Sequence, residues 1–224
     1  ASRKHLKISK QKIKNSKIFK DALSLLDFND YDILIELIGG EEGVSKKIIF
    51  DALKKKKNVV TANKALVSKH WKKLKILCNK YGSKLKFEAA VAGGIPIIKI
   101  LDDFLESNKI KRIYGILNGT SNYILTNMLS TKESFSEILQ KAQALGYAES
   151  DPSFDINGID TAHKLSILSA IAFNINTKLS DIFVEGIKGI ELIDLIYAES
   201  LGYKIKLLGI SQIKKKKIFN FLYP

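Results

Sequence analysis

The hydrophobic positions of this chain fall into two textures. The run "YDILIELIGG" at 31–40 is nearly continuously apolar and ends on two glycines, which predicts a buried parallel strand entering a tight turn. In "GVSKKIIFDALKKKK" the apolar residues Val44, Ile48, Ile49 and Leu53 recur at helical spacing. Val59 to Ala62 then reads as a short strand. "KHWKKLKILCNKYG" repeats the helical pattern and closes on Gly82, a C-cap residue. "KLKFEAAV" is a third strand. Strand, helix, strand, helix, strand is the order of a parallel sheet joined by crossover helices.

Beyond "AGGIPII" the texture changes. "IKILDDFLES" is amphipathic, "KIKRIYGILN" reads as a strand, and "SNYILTNML" and "FSEILQKAQALGYA" read as helices. "TAHKLSILSAIAF" is a strong helix, "DIFVEGI" is strand-like, and "LIDLIYAESLGY" is a helix. "KIKLLGISQI" and "KKIFNFLY" close the chain as strands. This half mixes helices and strands in α+β style. The expected division is 1–87 as a partial dinucleotide-binding domain, 88–97 as a connecting loop around the Gly-Gly-Ile-Pro joint, and 98–224 as a second domain. No internal repeat is visible.

Composition sharpens this picture only in part. Hydrophobic residues make up 46% of 224, enough to bury a sizeable core. No apolar run is long enough to span a bilayer, and the basic start lacks the apolar centre of a secretory signal. The one cysteine, Cys78, excludes an intrachain disulfide and fits a reducing cytoplasm. The formal charge of +14 raises nucleic-acid binding, but only Arg3 and Arg112 among 37 basic residues are arginine. Lysines in scattered runs, with neither Arg forks nor interleaved aromatics, read as solvated surface. The charge can still aid an anionic ligand. The expectation is no nucleic-acid partner and no membrane.

Three places carry candidate chemistry. A doubly wound sheet binds its ligand at the carboxyl ends of its strands. Two such ends are legible, Ile38-Gly39-Gly40 and Thr61-Ala62-Asn63-Lys64; the glycines mark either a plain turn or the close approach of a ligand. Lys64 falls at a helix start, where the dipole disfavours a cation by a few tenths of a kcal/mol, about 0.3 or more. In "DPSFDINGIDTAHK", Asp151-Pro152 marks a turn and Asp155 is placed to cap a helix. Asp160 and Lys164, four apart, share a helix face; they form either a surface pair or a proton shuttle in a cleft. Gly158, read as lying early in that helix, costs about 1 kcal/mol against Ala there and so points to close packing or a ligand. His163 points elsewhere and is structural. "NGTSNY" at 118–123 either receives a carboxylate on its N–H groups or caps a helix.

Taken together, "VVTANKALV", "FEAAVAGGIPII", "GILNGTSNYIL", "ALGYAESDPSFDINGIDTAHKLSIL" and "AESLGYKIKLLGI" resemble homoserine dehydrogenase in order and spacing, from about residue 31 to 212. The resemblance implies a partial Rossmann-type α/β sheet followed by an α+β catalytic domain. It implies reversible reduction of aspartate 4-semialdehyde to homoserine with NADPH or NADH, feeding threonine, methionine and isoleucine synthesis. It makes Lys164 the catalytic acid/base and Lys64 a second active-site lysine. Glu149, Asp160 and Asp155 become the substrate-binding acids. Ile38, Gly40, Ala62, Lys64 and Gly146 become cofactor neighbours. Glu88 and the carbonyls of Val91, Gly93 and Ile95 become ligands of a monovalent cation, sodium or potassium. Arg3 is placed to meet the 2′-phosphate of NADP.

The chain departs from that family at both ends. The Gly-rich strand and loop G-x-G-x-x-G are missing, and "GGEEG" at 39–43 does not replace them. The family's closing segment, which completes the homodimer, is missing as well. The expectation is therefore a fragment of a longer enzyme. Its rivals are a binding-only, catalytically inactive relative and a Lys-rich nucleic-acid module.

Overall fold

Residues 17–214 and 217–223 are described by a computed structural model. The chain divides into two units, 1–96 and 97–224. Arg3 lies outside the described residues.

The amino-terminal unit begins with a 3-10 turn, Ala22–Leu26, capped by the Asp21 carboxylate on the Leu23 N–H. Strand β1 (Ile33–Glu36), helix α1 (Val44–Lys54), strand β2 (Asn58–Thr61), helix α2 (Lys64–Tyr81) and strand β3 (Leu85–Lys86) follow. The strands pair in parallel in the order β1-β2-β3, with Glu36 beside Thr61. Alternation along β1 turns Leu34 inward, where Ile48, Ile49, Ala52 and Leu53 of α1 and Leu66 and Leu74 of α2 enclose it with Val59. The apolar run predicted burial on both faces; among the described residues Ile33, Ile35 and Val60 are exposed on the other one. Helix α2 starts and stops as its sequence directs. The Asn63 side chain accepts from the Leu66 N–H, and Gly82 closes it in the left-handed region with its N–H on the Cys78 carbonyl. The third strand is shorter than its apolar run: Phe87 turns in against Trp71, and Glu88–Ala90 winds into a 3-10 turn.

The carboxyl-terminal unit opens with helix α3 (Ile97–Lys99), continued by a π-helical turn, Ile100–Phe104. Strand β4 (Arg112–Ile116), helices α4 (Gly119–Thr131), α5 (Phe135–Ala144), α6 (Ser153–Ile156) and α7 (Ile159–Ala172), strand β5 (Phe183–Val184), helix α8 (Leu192–Ser200) and strands β6 (Leu208–Lys214) and β7 (Lys217–Tyr223) complete it. The sheet order is β4-β6-β7-β5, antiparallel except for β7 with β5. Helix α7 lies on one face, and a Cβ at Gly209 of β6 would meet Leu117 at 3.0 Å, Thr161 at 3.4 Å and Leu165 at 3.5 Å. A second core of Ile124, Leu125, Met128, Ile138, Ile156, Ile187, Leu195 and Leu207 joins α4, α5 and α8. No helix among the described residues is long and apolar enough to cross a membrane.

Gly158 does not sit inside α7. It is the N-cap, with φ 80°, so it makes the left-handed corner between α6 and α7 at no steric cost. Asp155 lies within α6 rather than at a cap. The same corner is pinned from behind: the Ile187 N–H donates to the Ile156 carbonyl at 2.8 Å, and a Cβ at Gly186 would overlap that carbonyl and lie 2.6 Å from Asn157 Cα. Gly186→Ala therefore forces the loop away from the α6–α7 corner. We expect a loss of about 1–3 kcal/mol in unfolding free energy, measured by urea denaturation; an unchanged midpoint would show that the backbone gives way freely.

Candidate active site

The α6–α7 corner places Asp155 and Asp160 opposite the end of β4. Asp160 is 3% exposed and accepts from Lys164 Nζ at 2.7 Å one helical turn on. Lys164 Nζ also donates to the Leu117 carbonyl at 2.8 Å, so two of its three N–H donors are directed by the protein. Asn118, the N-cap of α4, donates from Nδ2 to Asp155 Oδ1 at 2.7 Å and to Asp160 Oδ2 at 2.9 Å, while its Oδ1 accepts from the Ser121 N–H. The Ser121 hydroxyl donates to the Asp155 carbonyl. Carboxylates outnumber ammonium groups in this knot, and the surplus negative charge suits a cationic ligand group. His163 lies buried against the Phe154 ring, as its helix offset implied.

Of the other expected substrate and cofactor residues here, Gly146 and Glu149 lie on the loop after α5. Gly146 takes φ 77°. The Thr120 hydroxyl donates to the Tyr147 carbonyl at 2.8 Å, and Gln143 Nε2 to the Glu149 carbonyl at 3.0 Å. These bonds fix the loop backbone, while the Glu149 side chain stays exposed.

In the amino-terminal unit, Ile38, Gly40, Ala62 and Lys64 stand at the carboxyl ends of β1 and β2. What ties those ends together is Glu36, 1% exposed. Its Oε1 accepts from the Ile38 and Gly39 N–H groups at 2.8 and 2.9 Å, and its Oε2 from the Thr61 hydroxyl at 2.5 Å. Ser45 Oγ donates to the Gly39 carbonyl, and Asn63 Nδ2 to the Gly40 carbonyl. Gly39 and Gly40 take φ 86° and 83°, and a Cβ at Gly39 would meet nothing within 4 Å. The loop thus spends its polar groups inward and shows a bare backbone outward. Lys64 is the first residue of α2, half-buried.

The Glu88–Ile95 stretch reverses through Ala92 and Gly93, with φ 60° and 59°. The Val91 N–H donates to the Glu88 carbonyl and the Ile95 N–H to the Ala92 carbonyl. Among the described residues no group of three or more His, Cys, Asp or Glu is placed to hold a metal ion.

Residues 96–220 match the family model described as homoserine dehydrogenase, and residues 1–88 match the one described as the homoserine dehydrogenase NAD-binding domain. The chain belongs to the homoserine dehydrogenase family. It is 45% identical over 205 residues to the homoserine dehydrogenase of Neisseria gonorrhoeae, covering 92% of this chain and 47% of that one. The crystal structure of the Thiobacillus denitrificans homoserine dehydrogenase superposes with a TM-score of 0.87 at 46% identity, over 91% of this chain and 47% of the other. A hyperthermophilic archaeal homoserine dehydrogenase in complex with NADPH matches with a TM-score of 0.77 at 25% identity, over 93% and 60%. The chain spans about half the length of the curated relatives it matches.

Against this family background, two side chains that hold the candidate residues in place escaped the sequence reading, Asn118 and Glu36. Asn118 was legible as a cap or as part of a loop receiving a carboxylate on its backbone N–H groups, but not as a side-chain bridge, because its acid partners lie 37 and 42 positions away. Glu36 gave one signal, an acid inside an apolar strand. Burial acts to raise its carboxyl, but the hydrogen bonds from Thr61, Gly39 and Ile38 outweigh it and hold the group below the ordinary carboxylate value. A depressed folded-state value stabilises the fold fully above the unfolded value near 4.5 and is lost as pH falls through the folded value. Glu36→Gln should cost about 1–3 kcal/mol at pH 7 and flatten the decline of stability below the ordinary carboxylate range, read from urea midpoints against pH. A variant with the wild-type acid slope would refute the assignment.

Proposed function

We propose that this chain is the cofactor- and substrate-binding portion of an enzyme that reversibly reduces L-aspartate 4-semialdehyde to L-homoserine with NADPH or NADH. The observation that carries the reading is the Lys164 ammonium, held by Asp160 and the Leu117 carbonyl inside an acid-rich corner. Two of its N–H donors are directed by the protein, and the third is the one offered to the substrate oxygen. In the reducing direction Lys164 gives that oxygen a proton as it becomes alkoxide-like; in the oxidising direction it takes the proton back. Asp160, Asp155 and Glu149 supply the negative field for the ammonium group of the amino acid. When bound, the nicotinamide supplies or accepts the hydride.

The strand ends fit that group. Ile38, Gly40, Ala62 and Lys64 are its candidate neighbours in the amino-terminal unit, and Gly146 is the candidate the carboxyl-terminal unit offers by itself; the outward bare backbone at Gly39 and Gly40 suits a flat ring or ribose. Lys64, at a helix start unfavourable for a cation, suits an anionic ligand group. Glu88 with the carbonyls of Val91, Gly93 and Ile95 is the candidate site for sodium or potassium; carbonyl donors suit a hard cation and need no carboxylate cluster. A cytoplasmic enzyme fits this chemistry.

A second copy of the chain is the partner that suits the outer face of the four-stranded sheet. Tyr114 and Ile116 of β4 and Phe183 of β5 stand there 69, 46 and 53% exposed, and large apolar side chains exposed on a sheet suit an interface. Tyr114→Lys with Ile116→Lys should convert two copies to one in sedimentation of the complete enzyme, and persistence of the larger species would remove this face from the interface.

Lys164→Ala in the complete enzyme should lower kcat by about 10²–10⁴-fold while leaving NADPH affinity, read by cofactor fluorescence, within about two-fold. An equal loss of turnover and cofactor binding would refute the role given to Lys164.

A further inference from the structure

We infer that Asn118 is a positioning residue that sets the charge balance of the acid corner and so the preference for a substrate bearing an ammonium group; this rests on the functional reading above. One buried amide, 3% exposed, performs three tasks. Its two N–H donors are divided between Asp155 Oδ1 at 2.7 Å and Asp160 Oδ2 at 2.9 Å, and its oxygen accepts from the Ser121 N–H at 2.7 Å. The orientation of the amide is forced from both sides. Reversed, it would set an oxygen against two carboxylates and an NH₂ group against a backbone N–H.

Helix capping alone does not call for asparagine. Ser, Thr or Asp would accept the same N–H bond at the start of α4. Only an amide can accept there and also donate to two separate carboxylates. Its neutrality matters as much as its geometry. Lys or Arg in its place would gather the same oxygens but cancel their charge, and the corner would lose its attraction for an ammonium group. Asn118 holds Asp155 and Asp160 near each other without neutralising either. Lys164 compensates one of them, leaving one negative charge for the ligand. The adjoining Leu117 carbonyl fixes Lys164 itself, so residues 117–118 address all three charged groups.

The test uses the complete enzyme with Asn118→Ser and Asn118→Thr, which retain a cap and remove the double donor. Oxidation of L-homoserine is compared with oxidation of its des-amino analogue, 4-hydroxybutanoate, and thermal midpoints are recorded alongside. Expected are thermal midpoints close to wild type in at least one variant and a KM for homoserine raised about 10- to 100-fold, with a smaller change in kcat. The preference for homoserine over the analogue falls by a similar factor, because the analogue has no ammonium group to lose. A folded variant that keeps the wild-type preference, or loses both substrates in proportion, overturns the inference and leaves Asn118 a helix cap. Failure of both variants to fold overturns it as well, by making the cap the dominant role. Wild-type enzyme that does not oxidise homoserine overturns the functional reading instead.

Discussion

The ion pair between Lys164 and Asp160 is the interaction on which the candidate site depends, and it survives burial only because its surroundings complete it. A buried ion pair loses hydration on both partners, and its attraction offsets that loss only when further hydrogen bonds satisfy the remaining donors and acceptors. Here Asn118 donates to Asp160, and the Leu117 carbonyl accepts from Lys164. Both come from the corner between β4 and α4. The pair is thus a local i,i+4 contact whose stability is set by a distant stretch of chain. Two glycines allow the meeting. Gly158 makes the left-handed corner that starts α7, and Gly209 lets that helix lie close to β6.

The amino-terminal unit solves a related problem with a different charge. Parallel strands end with their backbone groups facing a ligand site, and a glycine loop there is free to adopt many shapes. Glu36 removes that freedom. A single buried carboxylate binds two loop N–H groups and the hydroxyl of the neighbouring strand, while Ser45 and Asn63 take the loop carbonyls. Both units therefore use a buried acid to order a segment whose own sequence is permissive. In one the acid faces a lysine and leaves surplus charge; in the other it is absorbed entirely by neutral donors.

What could be read from the sequence follows from the range over which each interaction acts. The strand–helix alternation of 33–86, the Gly82 cap and the shared face of Asp160 and Lys164 depend on near neighbours, and each was legible. Gly158 was legible as special but was placed within a helix, because its left-handed φ belongs to the corner with α6 and that helix is only four residues long. "KLKFEAAV" looked like a full strand, yet the packing of Phe87 on Trp71 ends it after Lys86. The bridging role of Asn118, the close approach at Gly186 and the clamp by Glu36 are contacts between separate segments, and no local pattern announces them.

The same distinction explains why a chain of formal charge +14 gathers acids in one stretch. Scattered lysines on solvated surface act at distances where salt screens them within about 10 Å. The acids at 155 and 160 are half-buried and buried, and a neutral amide holds them at hydrogen-bond distance. There a surplus of one charge exerts more force on a ligand than many exposed lysines do. Net charge thus describes the medium this protein presents to solution, while ligand chemistry is decided by which few charges are buried, and by whether their neighbours neutralise them or only hold them still.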